Sequence, residues 1–363
     1  MEILSPINSL SEVEPLHAAG ATELYCGIMR REVQREYTNV FSLNSRQVPE
    51  ANLSNFYELS EIVAASRRHG MRTYVTYNAF YTKAQFSVVK SEVEKIIACG
   101  ADGLIVADIA LITYLNEKYP GVKVIISTFG GAFNSHTVRL YRDFGASRIT
   151  LPRHLTIGEI ADTAAACPQT GFEVFIMSER CYFPNSLCRF EHATYRVKGG
   201  LFTYAAALAQ CLLGRKMSFL FGTYRNRLIN HIQDRFAAYN GMMCCREYKA
   251  DLINAVDGKV LESELNFKFF DTLNNFREAC GLCALYDIVQ VPGVESVKIV
   301  GRQNLTSRKC ADTRMVRDAL ALLKSNPSRL EYTNTVKKMR MDLYPNYCGE
   351  GFCYYCEPDK KRL

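Results

Sequence analysis

The stretch DGLIVADIALITYLNEKYPGVKVIIST, residues 102–128, decides the fold. It contains a short β-branched run, a helix-like segment that Pro120 ends, and a second β-branched run. Both runs are almost continuously apolar, which is typical of strands that are buried on both faces of a parallel sheet. The stretch therefore predicts a strand–helix–strand unit with parallel strands.

The same unit recurs along the first half of the chain and once more near its C-terminal end. Further strand-like runs are MEILSPI, ATELYCGI, RTYVTYNAF, SRITLPR, GFEVFIMS and ESVKIVGR, and helix-like segments separate them. In one of these helices, at TIGEIADTAAA, Thr156 can cap the N-terminus. So many units predict an α/β fold in which the strands close into a (β/α)8 barrel of the TIM type rather than an open sheet.

The chain of 363 residues is long enough for such a barrel with additions. We predict a barrel domain at residues 1–188 and 244–330, with a cysteine-rich C-terminal extension at 331–363. The periodicity is lost at 189–243, which predicts a mostly helical insertion: a lid, a docking surface or an ordinary packed subdomain. After it, Asp257-Gly258 predicts the turn of a hairpin.

The composition is that of an ordinary globular protein, with 48% apolar residues and a net charge of +7. The N-terminus has no basic start followed by a long apolar run, and no run is long enough to span a bilayer. We therefore expect a cytoplasmic protein without a membrane span. The charge permits an anionic small molecule or RNA as partner, although no Lys/Arg block is dense enough to require one.

Polar residues follow several predicted strands at the point where each strand ends. In a TIM-type barrel the active site lies at these carboxyl ends. A single polar residue there is more often a cap or a hydrogen-bond partner than a catalytic group, so their shared position is the informative observation. The residues are Asn78, Asp108, Ser127, Thr128, Arg153 and Ser178.

Fourteen cysteines are an unusual number for such a chain. In a reducing cytosol they are expected to be metal ligands, redox thiols or buried fillers rather than disulfides. Four thiolates that converge on one barrel mouth would suit zinc or an iron–sulfur cluster. The candidates are Cys181 and Cys188 after one strand, Cys244 and Cys245 after the insertion, and Cys280 and Cys283 in a CxxC. The tail residues Cys348, Cys353 and Cys356 have the spacing C-x4-C-x2-C, which leaves a second metal or cluster open.

The segment EVFIMSERCYFPNSLC, residues 173–188, resembles the signature of peptidase family U32, a Glu-x-Phe strand followed by two cysteines seven residues apart. Ser178 and Ser186 stand where that family usually has glycine. The segment ACGLCALYDIVQVPGVESVKIVGR, residues 279–302, resembles the family's late cysteine and its Lys-Ile-Glu-Gly-Arg strand. The resemblance extends over about residues 1–188 and 244–325.

The resemblance implies a [4Fe-4S] cluster with Cys181, Cys188, Cys245 and Cys283 as ligands. Cys245 is preferred over its neighbour Cys244 because an arginine follows it, as in the family. Characterised relatives hydroxylate ubiquinone precursors, transfer RNA or ribosomal RNA without molecular oxygen, and some use prephenate as the oxygen source. For a prephenate-like dicarboxylate, the candidate binding residues are Arg153 and Arg302. Candidate catalytic residues that orient the acceptor or move a proton are Asn78 and Asp108.

Three classes of function are compatible with these residues. The first is an iron–sulfur-dependent hydroxylase or related oxidoreductase that acts on an RNA base, a quinone precursor or a small metabolite. The second is a metallo- or cysteine-type peptidase, as the family name suggests, although HExxH is absent from the sequence. The third is a non-catalytic iron–sulfur partner subunit. A homodimer or heterodimer remains open in each case.

Overall fold

The computed structural model of the chain describes residues 1–30, 33, 43–46, 49–179, 181, 186, 249–253, 260–266, 278–345, 348 and 352–355. The chain divides into two compact units, Met1–Arg189 with Phe270–Leu363, and Phe190–Phe269. The predicted insertion at 189–243 lies outside the described residues. The predicted domain boundaries therefore remain predictions.

Eight parallel strands of the first unit close into a barrel, which confirms the predicted (β/α)8 fold. Its strands follow one another around the barrel in the order β1-β10-β7-β6-β5-β4-β3-β2. They are β1 (Glu2–Pro6), β2 (Glu23–Gly27), β3 (Arg72–Tyr77), β4 (Gly103–Val106), β5 (Lys123–Ile126), β6 (Arg148–Thr150), β7 (Gly171–Met177) and β10 (Val294–Ile299).

Helices follow most of these strands and cover the outside of the barrel. They are α1 (Val13–Ala19), α2 (Phe56–Arg68), α3 (Phe86–Ala98), α4 (Ile109–Lys118), α5 (Ser135–Asp143), α6 (Ile157–Ala165), the short α7 (Leu285–Ile288), α8 (Thr306–Leu323) and α9 (Arg329–Leu343). The predicted cap of α6 is confirmed: Thr156 and Glu159 form a capping box. Helix α9 was not predicted, and it covers the first part of the predicted C-terminal extension.

The second unit contributes β8 (Lys249–Ile253) and β9 (Val260–Asn266), which pair antiparallel. This pairing confirms the predicted hairpin, whose turn residues lie outside the described ranges. Among the helices of the described ranges, none combines the length and the apolarity that crossing a membrane requires.

The barrel has an apolar layer inside and a larger core outside. Alternate side chains of a strand point to opposite faces, so one set fills the interior and the other packs under the helices. The interior layer consists of Leu4, Tyr25, Tyr74, Ile105 and Ile125, each 5% exposed or less. The interior is therefore packed, and a site is confined to the ends of the barrel.

Candidate functional site

Buried polar side chains are concentrated at the carboxyl ends of the barrel strands. Each is 9% exposed or less: Asn78 after β3, Asp108 after β4, Ser127 and Thr128 after β5, Arg153 after β6, Ser178 and Glu179 after β7, and Arg302 after β10. We call this end of the barrel the mouth. The sequence predicted this gathering, and the structure adds Glu179 to it.

Asn78 connects two loops of the mouth. Its Oδ1 accepts hydrogen bonds from the backbone N and the Oγ of Ser45, both at 3.0 Å. Its Nδ2 donates to Ser127 Oγ at 2.9 Å. The amide thus holds the loop after β2 against the end of β5, and its predicted catalytic role remains a prediction.

Asp108 caps helix α4. Its Oδ1 accepts from the backbone N of Leu111 at 3.0 Å, and its Oδ2 accepts from the backbone N of Tyr81 at 3.2 Å. Both oxygens therefore serve backbone donors, which is the ordinary role of an aspartate at a helix N-cap. Its role in moving a proton remains a prediction.

Arg302 is held by neutral acceptors. Its Nη2 donates to Asn44 Oδ1 at 3.0 Å and its Nη1 to Asn52 Oδ1 at 3.3 Å. Burial lowers the pKa of the Arg302 guanidinium to about 10, which still leaves it charged at neutral pH. Gly27 permits this placement, because a Cβ there would lie 1.7 Å from Arg302 Nη1. The mouth therefore carries a buried positive charge that amides orient but do not neutralise.

A second guanidinium of the mouth, Arg46, is neutralised. Its Nη2 lies 2.6 Å from Glu179 Oε2. Glu179 also accepts a hydrogen bond from Gln303 Nε2, beside Arg302 in the chain. Glu179 and the preceding Ser178 have φ angles of 43° and 63°, a left-handed turn that favours glycine. The Ser178 side chain stabilises this turn by donating from its Oγ to Asp312 Oδ2 at 2.7 Å.

Arg153 lies at the mouth against an aromatic ring. Its guanidinium carbon is 3.8 Å from the centroid of Phe175, within the range of a cation–π contact. The Tyr354 ring packs in one cluster with Phe175 and interacts electrostatically with Arg153. Tyr354 comes from the tail, and no pattern in the sequence indicated that it reaches the mouth.

A buried charge network lies deeper in the barrel. Lys298 Nζ is 2.9 Å from Glu173 Oε1, and Thr150 Oγ1 donates to the same carboxylate at 2.9 Å. Arg148 Nη1 lies 2.6 Å from Glu23 Oε2. The network explains why a lysine and a glutamate interrupt otherwise apolar strands. Each buried charge has a partner of opposite sign, as burial requires.

Two of the predicted ligand cysteines, Cys181 and Cys283, are described, and both lie on segments that start beside the end of β7. Cys181 follows the Ser178–Glu179 turn and is 9% exposed. Cys283 lies in the 3-10 turn Leu282–Ala284, just after Ala279, whose carbonyl accepts from Ser178 N at 2.8 Å. Cys188 and Cys245 lie outside the described residues, as does the rival Cys244.

The tail cysteines that are described lie beside the CxxC. The backbone of Cys353 forms a parallel β-bridge with the backbone of Cys280. Cys280 also interacts electrostatically with Cys283 and Cys348. Cys356 lies outside the described residues. In the part of the chain that the structure describes, no three His, Cys, Asp or Glu side chains are grouped so that they could hold a metal ion. The four-cysteine ligand set and the second metal at the tail therefore remain predictions.

The fold and the mouth define a TIM-barrel protein whose strand ends form a buried, cationic, thiol-bearing site. The chain belongs to Peptidase family U32, whose sequence profile matches residues 8–201. This match confirms the resemblance that the motif at 173–188 indicated.

The relatives to which this chain is similar include tRNA hydroxylation proteins and a collagenase. The chain is 27% identical over 187 residues to tRNA hydroxylation protein P of Haemophilus influenzae and 26% identical over 187 residues to the protein of that name from Escherichia coli; each match covers 52% of this chain and 38% of the relative. It is 25% identical over 159 residues to a collagenase of Porphyromonas gingivalis, covering 44% of this chain and 34% of the relative. The chain thus spans well under half the length of these relatives.

Among solved structures, the U32 peptidase Mk0906 is similar at 14% identity with a TM-score of 0.40. That similarity covers 51% of this chain and 73% of the other.

Proposed function

We propose that this protein is an iron–sulfur enzyme that hydroxylates a base of transfer RNA without molecular oxygen, with a small dicarboxylate such as prephenate bound at the barrel mouth. Two observations support the proposal. The family relatives include tRNA hydroxylation proteins. The observation that carries the site is Arg302, a buried guanidinium with two neutral acceptors.

The environment of Cys181 supports the proposal of a thiolate-ligated cluster. Cys181 is buried at the mouth, and Arg46 is near enough to interact electrostatically with its thiol. A neighbouring guanidinium favours the thiolate, which is the form that binds a metal. In the proposed set, Cys181, Cys188, Cys245 and Cys283 hold a [4Fe-4S] cluster, which would supply single-electron transfer when bound.

The residues of the chain bind and orient the substrates. Arg302 binds one carboxylate through the edge of its guanidinium, and Arg153, against Phe175, binds the other; such charge-assisted bonds fix both position and direction. In this proposal Asn78 orients the acceptor base, which is supported by the fixed position of its amide between Ser45 and Ser127. The packed interior layer of the barrel closes the mouth from below, so the substrates reach it from the side of the loops.

The test is the nucleoside composition of transfer RNA from cells in which the gene is deleted and then replaced. The wild-type gene is expected to restore a hydroxylated nucleoside that the deletion removes, measured by mass spectrometry. Arg302→Met and Arg302→Lys are expected to lower the in vitro efficiency for the dicarboxylate about 10- to 100-fold, the effect of losing a charged hydrogen bond of about 1.5–3 kcal/mol. Lysine keeps the charge but not the planar fork.

Arg142→Met is the matched control, because Arg142 is a surface arginine beside Asp143. An unchanged nucleoside profile in the deletion strain would overturn the proposal. Cleavage of gelatin by the purified protein, lost in the Cys181→Ala variant, would favour a peptidase instead. A cluster-containing protein without activity of its own, which restores a partner enzyme, would favour the electron-transfer subunit.

A further inference from the structure

The tail residues 352–355 dock on the barrel beside β7. The backbone of Cys280 forms a β-bridge with Met177 of β7 on one side and with Cys353 of the tail on the other. The tail pairing consists of two backbone hydrogen bonds, from Cys280 N to Phe352 O at 2.7 Å and from Tyr354 N to Cys280 O at 2.9 Å. The tail residues 352–355 therefore extend the hydrogen-bonded layer at the end of β7.

This docking places Tyr354 inside the mouth. Its side chain is 2% exposed and packs against Phe175, Ala279 and Val300. The neighbouring Tyr355 differs: it is partly buried and its Oη donates to the carbonyl of Phe175 at 2.6 Å. Both tyrosines anchor the tail and pack at the aromatic face that supports Arg153. They differ in their hydroxyls, because that of Tyr354 bonds the Ser178 carbonyl after β7 and that of Tyr355 bonds the Phe175 carbonyl within β7.

The hydroxyl of Tyr354 connects two parts of the mouth. It donates to the carbonyl of Ser178, the first residue of the left-handed turn. The Arg153 guanidinium, which has only donors, covers the Phe175 ring of the same cluster at 3.8 Å. Burial raises the pKa of the Tyr354 phenol, and the charge and hydrogen bonding of the neighbouring Arg153 act against that rise. A phenol hydroxyl has one proton to donate, which goes to the Ser178 carbonyl, and its oxygen remains able to accept from a guanidinium. Removing the Tyr354 hydroxyl would therefore loosen the guanidinium of Arg153 and the Ser178–Glu179 turn.

We propose that the tail residues 352–355 are part of the active site and that Tyr354 is a positioning residue, which orients Arg153 for a carboxylate of the substrate and fixes the Ser178–Glu179 turn. This inference rests on the proposed function for the identity of the ligand. It adds a component that lies beyond residues 8–201, where the family profile matches. The alternative is that Tyr354 and Tyr355 only hold the tail residues 352–355 against the barrel.

The test compares Tyr354→Phe with Tyr355→Phe, which each remove one hydroxyl that donates to a backbone carbonyl at the end of β7. A purely structural role predicts the same effect for both. Positioning predicts that only Tyr354→Phe changes Arg153. The first readout is the guanidinium Nη–H signals of Arg153 in an NMR spectrum of the full chain, assigned through Arg153→Lys.

Tyr354→Phe is expected to speed the exchange of the Arg153 Nη–H groups with water by about fivefold, which corresponds to the loss of one hydrogen bond. Tyr355→Phe is expected to leave this exchange unchanged. Equal exchange rates in the wild type and Tyr354→Phe would overturn the inference, as would equal changes in the two variants.

The second readout is the affinity for malonate, a minimal dicarboxylate, measured by titration calorimetry. Tyr354→Phe is expected to weaken binding about fivefold, again the effect of one hydrogen bond, and Tyr355→Phe less than twofold. If the wild type binds no malonate, the carboxylate site of the proposed function is refuted, while the NMR comparison still decides whether Tyr354 positions Arg153. Equal affinities in the wild type and Tyr354→Phe would refute the positioning role alone.

Discussion

Replacing Lys298 by methionine tests whether the charge network inside the barrel is a fixed part of the fold. The substitution removes the ammonium that lies 2.9 Å from Glu173 Oε1. Glu173 itself is 0% exposed, so water does not replace the lost partner. Among the described residues, the carboxylate then keeps the Thr150 hydroxyl at 2.9 Å and the Arg148 guanidinium at 3.7 Å.

Removing one partner of a buried ion pair is costly, because Glu173 loses its nearest opposite charge; Lys298→Met is therefore expected to lower the free energy of unfolding by about 3–5 kcal/mol. The double variant Lys298→Met/Glu173→Met removes both charges and is expected to regain most of this loss, because apolar replacements of a buried pair are close to neutral. Arg148 keeps its contact with Glu23 at 2.6 Å in either variant.

The assay is urea unfolding followed by circular dichroism and by tyrosine emission, which is usable because the chain has no tryptophan and 21 tyrosines. Lys118→Met, which breaks an exposed pair with Glu94, is the control and is expected to leave the midpoint unchanged. A loss below about 1 kcal/mol for Lys298→Met would show that the pair is solvated, since exposed pairs contribute no more than this. Additive losses in the double variant would equally refute the network.

Three smaller predictions concern other parts of the barrel. Burial raises the pKa of Glu23, but the hydrogen bond to Arg148 and the charge of Arg148 lower it by more, so the pKa lies below the ordinary value of 4.5. The stability advantage of the wild type over Glu23→Gln is therefore present above pH 4.5 and shrinks in urea titrations as the pH falls below it. Thr156→Ala removes the capping box of α6 and is expected to cost about 1 kcal/mol in the same titrations, whereas Thr156→Ser restores it. Ser178→Gly is expected to be about 1 kcal/mol more stable than Ser178→Ala, because alanine keeps the strain of the positive φ angle without the bond to Asp312; a less stable glycine variant would show that the turn is not strained.

The barrel could be predicted from the sequence because buried parallel strands leave a direct signal. Continuous β-branched runs, as at Gly103–Val106 and Lys123–Ile126, recur at regular spacing between helix-like segments. Helix α9 was missed because its sequence is polar: only Tyr332, Val336 and Arg340 are buried on it. So few apolar residues on one face do not produce the 3.6-residue hydrophobic periodicity by which a helix is recognised in a sequence.

The site was predictable only in its position along the strands. Asn78, Arg153 and Arg302 were expected at strand ends, and all three lie at the mouth. What the sequence lacked was the pairing of distant residues: Glu179 with Arg46, and Tyr354 with Arg153. Such contacts depend on how loops and the tail fold back over the barrel, and no local period or motif encodes that.

The most direct test of the account is the metal content of the protein purified without oxygen. The proposal predicts about four irons and four sulfides per cluster and, after reduction, an EPR signal typical of a [4Fe-4S] centre. Cys181→Ala and Cys283→Ala are expected to lose this signal, while Cys99→Ala, at the end of α3, retains it. Iron-free protein, or a cluster signal that survives Cys181→Ala, would contradict the central claim that thiols of the barrel mouth hold the reactive centre.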